Sequence, residues 1–388
     1  MRIFTTIIIA LAVSACDTGA GGTRGTTLTA SGLLVGERVA LDGDTALLGA
    51  PGSDEAFVFT RGSGGWDVSS TFRPSDARAA DPYYGRILDL DAGVAVVGAP
   101  EYGGSDAAGH AYVYERSGGE WTETAVLRPD DLDPNAKFGG AVAVSARRIA
   151  VGASDGGDAG EVHVFEGVGG GWTRSAVLSH PEPGRGSAFG AGVALDGDRL
   201  AVVGSRATSN DGRVYVYERV GPGSWLPTAV IESPPPPPGS LPPLGFGRDI
   251  DLDGPTLVVN ESGQGAGSVH VYRLSSGAWS LEATLSRTQE ESGPLSVFGN
   301  RLSLSGSRLV AATPGRLVDG EDRGAAFVYR RGPDGVWTEE AELVGPARGF
   351  GRDVAIDGGT VLVGANDSGA RGGGHLFVRG PDGWAPER

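Results

Sequence analysis

Every tryptophan in this chain stands at the same place in a unit of about fifty residues that is written seven times: Trp66, Trp121, Trp172, Trp225, Trp279, Trp337 and Trp384. A second marker recurs independently with the same period, an apolar residue followed by glycine, at Val35-Gly36, Tyr84-Gly85, Phe138-Gly139, Phe189-Gly190, Phe246-Gly247, Phe298-Gly299 and Phe350-Gly351. Two markers in phase make the 388 residues a tandem array and set aside the two or three unrelated domains that length alone would suggest.

The unit is clearest from Phe189 to Ser233, and its periodicity is that of strands. An inner strand A (GVAL, AVAV or DVAI in three units) leads into a turn such as Asp42-Gly43, Asp196-Gly197, Asp253-Gly254, Ser305-Gly306 or Asp357-Gly358, whose glycine accepts the positive φ of a tight hairpin. Strand B (TALLGAP, VAVVGAP, TVLVGAN) is apolar without alternation, as a strand buried on both faces must be. Strand C (FVF, YVY, HVY) sets large rings on one face and Val on the other, and strand D starts at the tryptophan. A four-stranded sheet with two apolar faces needs a neighbour on each side. Seven sheets arranged radially satisfy all of them, which predicts an all-β fold: a seven-bladed β-propeller of four-stranded antiparallel blades. The last unit ends too soon after Trp384 for a full strand D, while Thr26 to Ala30 is a spare segment ahead of the first strand A. The ring is therefore expected to be closed by the N-terminal strand, with the propeller spanning residues 26–388 and blades starting near 35, 84, 138, 189, 246, 298 and 350.

The succession of FG, VALDGDxLAVGAP, GxVYVY and Trp resembles the FG-GAP repeat of integrin α-subunit propellers and of many bacterial extracellular proteins, over roughly residues 35 to 388. Val35-Gly36 and the replacements GSR, NES and ATP depart from it. The resemblance implies a propeller and a binding or adhesion role. Propellers host binding proteins and enzymes alike, so it does not name a ligand.

Residues 1–15 read as a lipoprotein signal peptide. Arg2 is the only charge ahead of an apolar run, Ile3 to Val13, that is too short for a bilayer core of about 30 Å. The run ends in Val13-Ser14-Ala15-Cys16, which resembles a bacterial lipobox, and Cys16 is the sole cysteine, so it has no intrachain partner for a disulfide. Lipidation of Cys16, with residues 16–25 as a flexible tether, implies an exported protein held on the cell-envelope membrane, facing the periplasm or the cell surface. The formal charge of −16 becomes one unit more negative without the leader and excludes tracking of a nucleic-acid backbone.

No catalytic constellation is written in the chain. There is no GxSxG elbow and no cysteine nucleophile, and the five histidines lack metal-ligand spacing. Pro333-Asp334-Gly335-Val336-Trp337 and Pro381-Asp382-Gly383-Trp384 lack the serine and spacing of a sialidase Asp-box and read as C-to-D turns. Integrin-like repeats often carry a calcium loop, DxDxDGxxD, and the nearest match here is Asp249, Asp251 and Asp253 before Gly254. Leu257 stands where the last aspartate should fall, and Asp249 and Asp251 belong to strand A, so a hairpin is expected rather than calcium and no cofactor is expected. The tryptophans are expected to pack between blades rather than stack on sugars. Specificity is left to the long B-to-C and D-to-A loops on one face, with Tyr102, Arg206, Asn210, Arg316, Asp319, Arg323, Asn366 and Arg371 as candidate contacts. The loop from Arg206 to Arg213 differs in every unit, and Pro234 to Pro238 forms a stiff spacer at the rim. The expected protein is a monomeric, non-catalytic binding or adhesion scaffold for a protein or glycan. A lectin-like propeller and an enzyme with a loop-assembled site are the alternatives, the latter requiring a carboxylate cluster or arginine triad at the channel mouth.

Overall fold

The computed structural model describes residues 25–32, 34–75, 83–100, 108–182, 187–206, 209–235, 245–262, 266–288, 297–345, 348–366 and 372–388, with the side chains of 206–211 outside that description. Seven antiparallel sheets form a ring, each in the order A-B-C-D, and no helix occurs among the described residues. The inner strands A are Val39–Asp42, Ile87–Asp91, Phe138–Ser145, Val193–Asp196, Phe246–Asp253, Arg301–Ser305 and Phe350–Asp357. Strands B are buried along nearly all their length, as Thr45–Ala50 and Val94–Ala99 illustrate, in keeping with their apolar sequence.

The core is divided into seven clusters, one in each space between consecutive blades. Between the third and fourth blades, for example, Val162 and Val164 meet Phe189, Leu200, Val202, Tyr215 and Trp225. Fully burying one Val, Leu or Phe contributes about 1.5–3 kcal/mol, so a blade without its neighbour loses most of what stabilises it.

The two dipeptide motifs of the repeat interlock across these spaces. Gly139, after Phe138, has φ of 86°, and a Cβ there would strike the carbonyl oxygen of His110 in the preceding blade. Gly98, the glycine of VVGAP in that preceding blade, lies in turn against the carbonyl of Gly139. Where the fifth unit replaces this second glycine with Asn260, the buried amide instead accepts the Asp249 N–H through Oδ1 at 2.8 Å.

The tryptophans pack between blades, as their fixed position suggested. The indoles of Trp172, Trp337 and Trp384 donate across the blade boundary to Glu115 (2.7 Å), Glu282 (2.9 Å) and Glu340 (3.1 Å). Arginines stack on several rings, Arg147 lying 5.3 Å from the Trp172 centroid.

Closure uses both ends of the chain. Strand C of the seventh blade, Gly373–Gly380, pairs along its second half with Gly383–Pro386 and along its first half with Thr27–Leu28. The N-terminal segment thus supplies half of the missing outer strand and the C-terminal segment the other half. They join where the Thr26 N–H donates to the Glu387 carbonyl at 2.5 Å and the Glu387 N–H donates to the Leu376 carbonyl at 2.9 Å. Leu28 is 2% exposed and packs in the cluster between the seventh and first blades. One expected loop is largely strand. The B and C strands of the fourth blade run on as Arg199–Arg206 and Ser209–Gly221, so Arg206 and residues 209–213 are strand, and Arg213 is buried against Glu232.

Because every interface is needed to close the ring, the seam governs the whole domain. Leu28→Ala is expected to cost about 2–5 kcal/mol, and deletion of residues 26–31 to lower the melting temperature of the entire propeller in one transition. Calorimetry that finds the transition unmoved by the deletion would disprove closure by this strand.

Candidate binding site

Strands A enter from the long-loop face and end at the A-to-B turns, so every second side chain forms a layer around the axis. Successive layers are about 6.6 Å apart at strand rise. The layer nearest the turns is a complete ring of acceptors: Asp42, Asp91, Ser145, Asp196, Asp253, Ser305 and Asp357. Each accepts the backbone N–H of the turn residue in the next blade. Asp357 takes it from Gly43 (2.8 Å), Asp91 from Ala146 (2.9 Å), Ser145 from Gly197 (3.1 Å), Asp196 from Gly254 (2.8 Å), Asp253 from Gly306 (2.5 Å) and Ser305 from Gly358 (3.0 Å), while Asp42 bonds to Ala92.

The middle layer repeats the contact where it has an acceptor. Asp89 takes the N–H of Val144 (2.7 Å), Asp251 that of Leu304 (2.6 Å) and Ser303 that of Ile356 (3.1 Å). The second oxygens of Asp89 and Asp251 accept the N–H groups of Leu90 (2.9 Å) and Leu252 (2.7 Å). Burial pushes the Asp89 carboxyl up to about 6 and the Asp251 carboxyl up to about 7, against the opposing pull of these backbone donors.

The layer nearest the loop face differs around the ring. Over one arc it reads Asp249, Arg301, Asp353, Arg38, in four consecutive blades; over the other it is Ile87, Ala141 and Gly192. Asp249 and Asp353 each accept the next blade's N–H, from Leu302 (2.7 Å) and Val39 (2.8 Å). Their remaining oxygens lie 3.5 Å and 3.8 Å from Arg301, and Arg38 is 3.9 Å from Asp353. Burial together with the Arg301 charge lowers the affinity of Arg38 for its proton, and burial raises the Asp353 carboxyl. These layers enclose a cavity of about 470 Å³.

Asp249, Asp251 and Asp253, whose spacing in the sequence resembles a calcium loop, are therefore rungs of one strand. Each commits an oxygen to the sixth blade, and no group of three or more metal-competent His, Cys, Asp or Glu side chains occurs among the described residues. Among the described loop-face candidates, Asn366 stands apart from Arg316, Asp319 and Arg323. Arg316, Asp319 and Arg323 belong to a small hairpin, Leu317–Val318 paired with Glu321–Asp322, with the exposed Asp319 at its tip. There Arg316 donates to the Leu317 carbonyl (2.9 Å) and Arg323 to Glu321 (3.0 and 2.9 Å). Asn366 and Arg352 both donate to the buried Glu37 and so lock the seam between the last and first blades. Cys16, Tyr102 and Arg371 lie outside the described residues, as do the side chains of Arg206 and Asn210 and the stretch from Pro236 to Pro238.

Sequence reasoning missed Arg38, Arg248 and Arg301. Their signal is the column two places after the motif glycine, where Arg38, Asp249, Arg301 and Asp353 replace small or apolar residues, together with Arg248 one place earlier.

The FG-GAP repeat family profile matches residues 121–165 and 172–217. The chain carries FG-GAP repeats. Both matches run from a strand D to the strand C of the following blade, so the sequence unit is one strand out of phase with the blade and spans each boundary. No curated protein matches the sequence. Among solved structures, the periplasmic gluconolactonase PpgL of Pseudomonas aeruginosa is similar at 18% identity and TM-score 0.53, over 89% of this chain and 94% of that one. The Cps50 (Swd1) β-propeller domain of Myceliophteria thermophila gives 12% and 0.56, over 90% and 98%. PorZ, a bacterial surface component of the type-IX secretion system of Porphyromonas gingivalis, gives 14% and 0.52, over 93% and 38%. At such identities these likenesses describe the fold alone.

The buried carboxyls supply a test with a definite sign. An Asp whose folded pKa lies above its unfolded value binds its proton more tightly when folded, so its contribution to stability grows as pH falls through the folded value, about 7 for Asp251, towards the unfolded value near 4. Asp251→Asn, which cannot titrate, is expected to be less stable than the parent, and the gap in melting temperature should widen between about pH 8 and pH 5. A gap independent of pH would rule out a raised Asp251.

Proposed function

We propose that this protein is an exported, lipid-anchored scaffold that binds a protein or glycan partner on its long-loop face and performs no catalysis. The observation that supports this reading is the use made of the channel carboxylates. A raised carboxyl lining a cavity ordinarily suggests a general base, but both oxygens of Asp89 and of Asp251 accept backbone N–H groups, and Asp249 and Asp353 hold neighbouring blades while facing arginines. Arg38, Arg248 and Arg301 at the channel mouth meet the requirement set for the enzyme alternative, but the acids of the channel are bound up in holding the ring together, which favours binding over catalysis. Partner contacts then fall to the loop face, where the hairpin around Asp319 projects exposed charge at its turn.

Membrane attachment rests on the lipobox-like Val13 to Cys16. In a bacterial host, Cys16→Ala is expected to abolish incorporation of labelled palmitate and release the protein into the soluble fraction; labelling that persists in this variant would end the anchoring proposal. For the binding face, Asp319→Ala combined with Glu321→Ala should weaken capture of a partner from envelope extracts at unchanged melting temperature. Saccharide binding on a glycan array, lost in the same double variant, would identify a glycan as the partner. Turnover of a substrate by the purified protein would overturn the non-catalytic reading.

A further inference from the structure

We infer that the loop-side mouth of the central channel is a binding site for a small ligand carrying one oxyanion group, a carboxylate or a phosphate. The site is formed by Arg38 and Arg301 within the channel and Arg248 at its rim, and it stands whether or not the loop face also binds a macromolecule.

Charge distribution is the first ground. The chain has a large excess of acid, and the turn-side layer holds five aspartates and two serines with no cation. Yet three guanidiniums line the cavity at its opposite mouth against two carboxylates, Asp249 and Asp353, so that mouth carries a net positive charge and presents it to the loop face. An anion approaching from that side meets the arginines before any carboxylate of the deeper layers.

Incomplete pairing is the second. A charge-assisted hydrogen bond from arginine to a carboxylate spans about 2.7–2.9 Å, whereas Arg301 stands 3.5 and 3.8 Å from Asp249 and Asp353, and Arg38 stands 3.9 Å from Asp353. The acids cannot move closer without releasing the N–H groups of Leu302 and Val39. Arg301 Nε is buried without a hydrogen-bond partner among the described residues, and its Nη1 turns to the Asn300 carbonyl at 3.2 Å. Elsewhere in this protein arginines pair closely, as Arg352 does with Glu37 at 2.6 and 2.9 Å. Arg248 is exposed and has no ion pair among the described residues. Guanidinium donors held at long range from their neighbours suit an oxyanion inserted between them.

Shape is the third. Across the mouth from the arginines, Ile87, Ala141 and Gly192 leave room and offer no side-chain polar group. A volume of about 470 Å³ lies within the range of small-molecule sites. One charged wall and one wall of small side chains fit a ligand with an anionic end and a compact carbon body, such as an acidic monosaccharide.

Titration calorimetry on the folded chain with D-glucuronate, inorganic phosphate and D-glucose tests this. At least one of the two oxyanions is expected to bind saturably and glucose not at all; a response to glucuronate alone assigns the carboxylate source and a response to phosphate alone the phosphate source. Arg248→Gln breaks no described contact and should weaken binding about tenfold at unchanged melting temperature, and Arg38→Gln should weaken it further, while Arg330→Gln on the outer wall should leave it unchanged. Absence of saturable binding by either oxyanion, or affinity undiminished in folded Arg248→Gln and Arg38→Gln, would overturn the assignment.

Discussion

The ring depends on a hydrogen bond that crosses from each inner strand to the next, from a backbone N–H to an Asp or Ser side chain. Inner strands of adjacent blades do not pair through their backbones, so the N–H groups on their free edges lack a backbone partner. A short oxygen-bearing side chain at the turn end of every inner strand, and at some positions further along, answers this. At the turn end it does so seven times without a gap, the seventh blade handing its Asp357 to Gly43 of the first. Hydrophobic clusters between the blades supply the larger stabilisation but little direction; the acceptor ring fixes the height at which each blade sits against its neighbour. Breaking one rung leaves a donor without its partner, which costs about 1–3 kcal/mol when buried.

Much of this was legible in the sequence and part of it was not. Seven Trp and seven glycine markers were enough for blade number and strand order, because burial of a two-faced sheet leaves few arrangements. The Asp-Gly dipeptides were read as turn chemistry, and Gly43, Gly197 and Gly358 do take a φ of 54°. Their aspartates serve the next blade, a contact about fifty residues distant that no local rule reports. The same limit applies to Asp249, Asp251 and Asp253: spacing shows that three carboxylates share one face of a strand, and only the neighbouring blade shows what occupies them. The arginine arc was hidden for another reason. Arg38, Arg248 and Arg301 are ordinary in their own units and become a group only when the ring brings the first, fifth and sixth blades around one axis.

The channel thus has two uses for charge. Carboxylates towards the turn face are absorbed by backbone donors, and in the middle layer burial raises those of Asp89 and Asp251. Arginines towards the loop face are held less closely, Arg301 by the Asn300 carbonyl at 3.2 Å and by Asp249 at 3.5 Å.

The two-part outer strand of the seventh blade also has a mechanical meaning. Thr27–Leu28 and Gly383–Pro386 lie end to end along one edge, with Thr26 bonded to Glu387. A pull on the chain ahead of residue 26 therefore arrives at a two-residue strand on the perimeter rather than at an inner strand. Loaded there, the molecule would open one pair at a time at its rim, like a zip, and the first apolar group drawn out would be Leu28. The same edge that makes the ring circular is the place from which tension would unmake it.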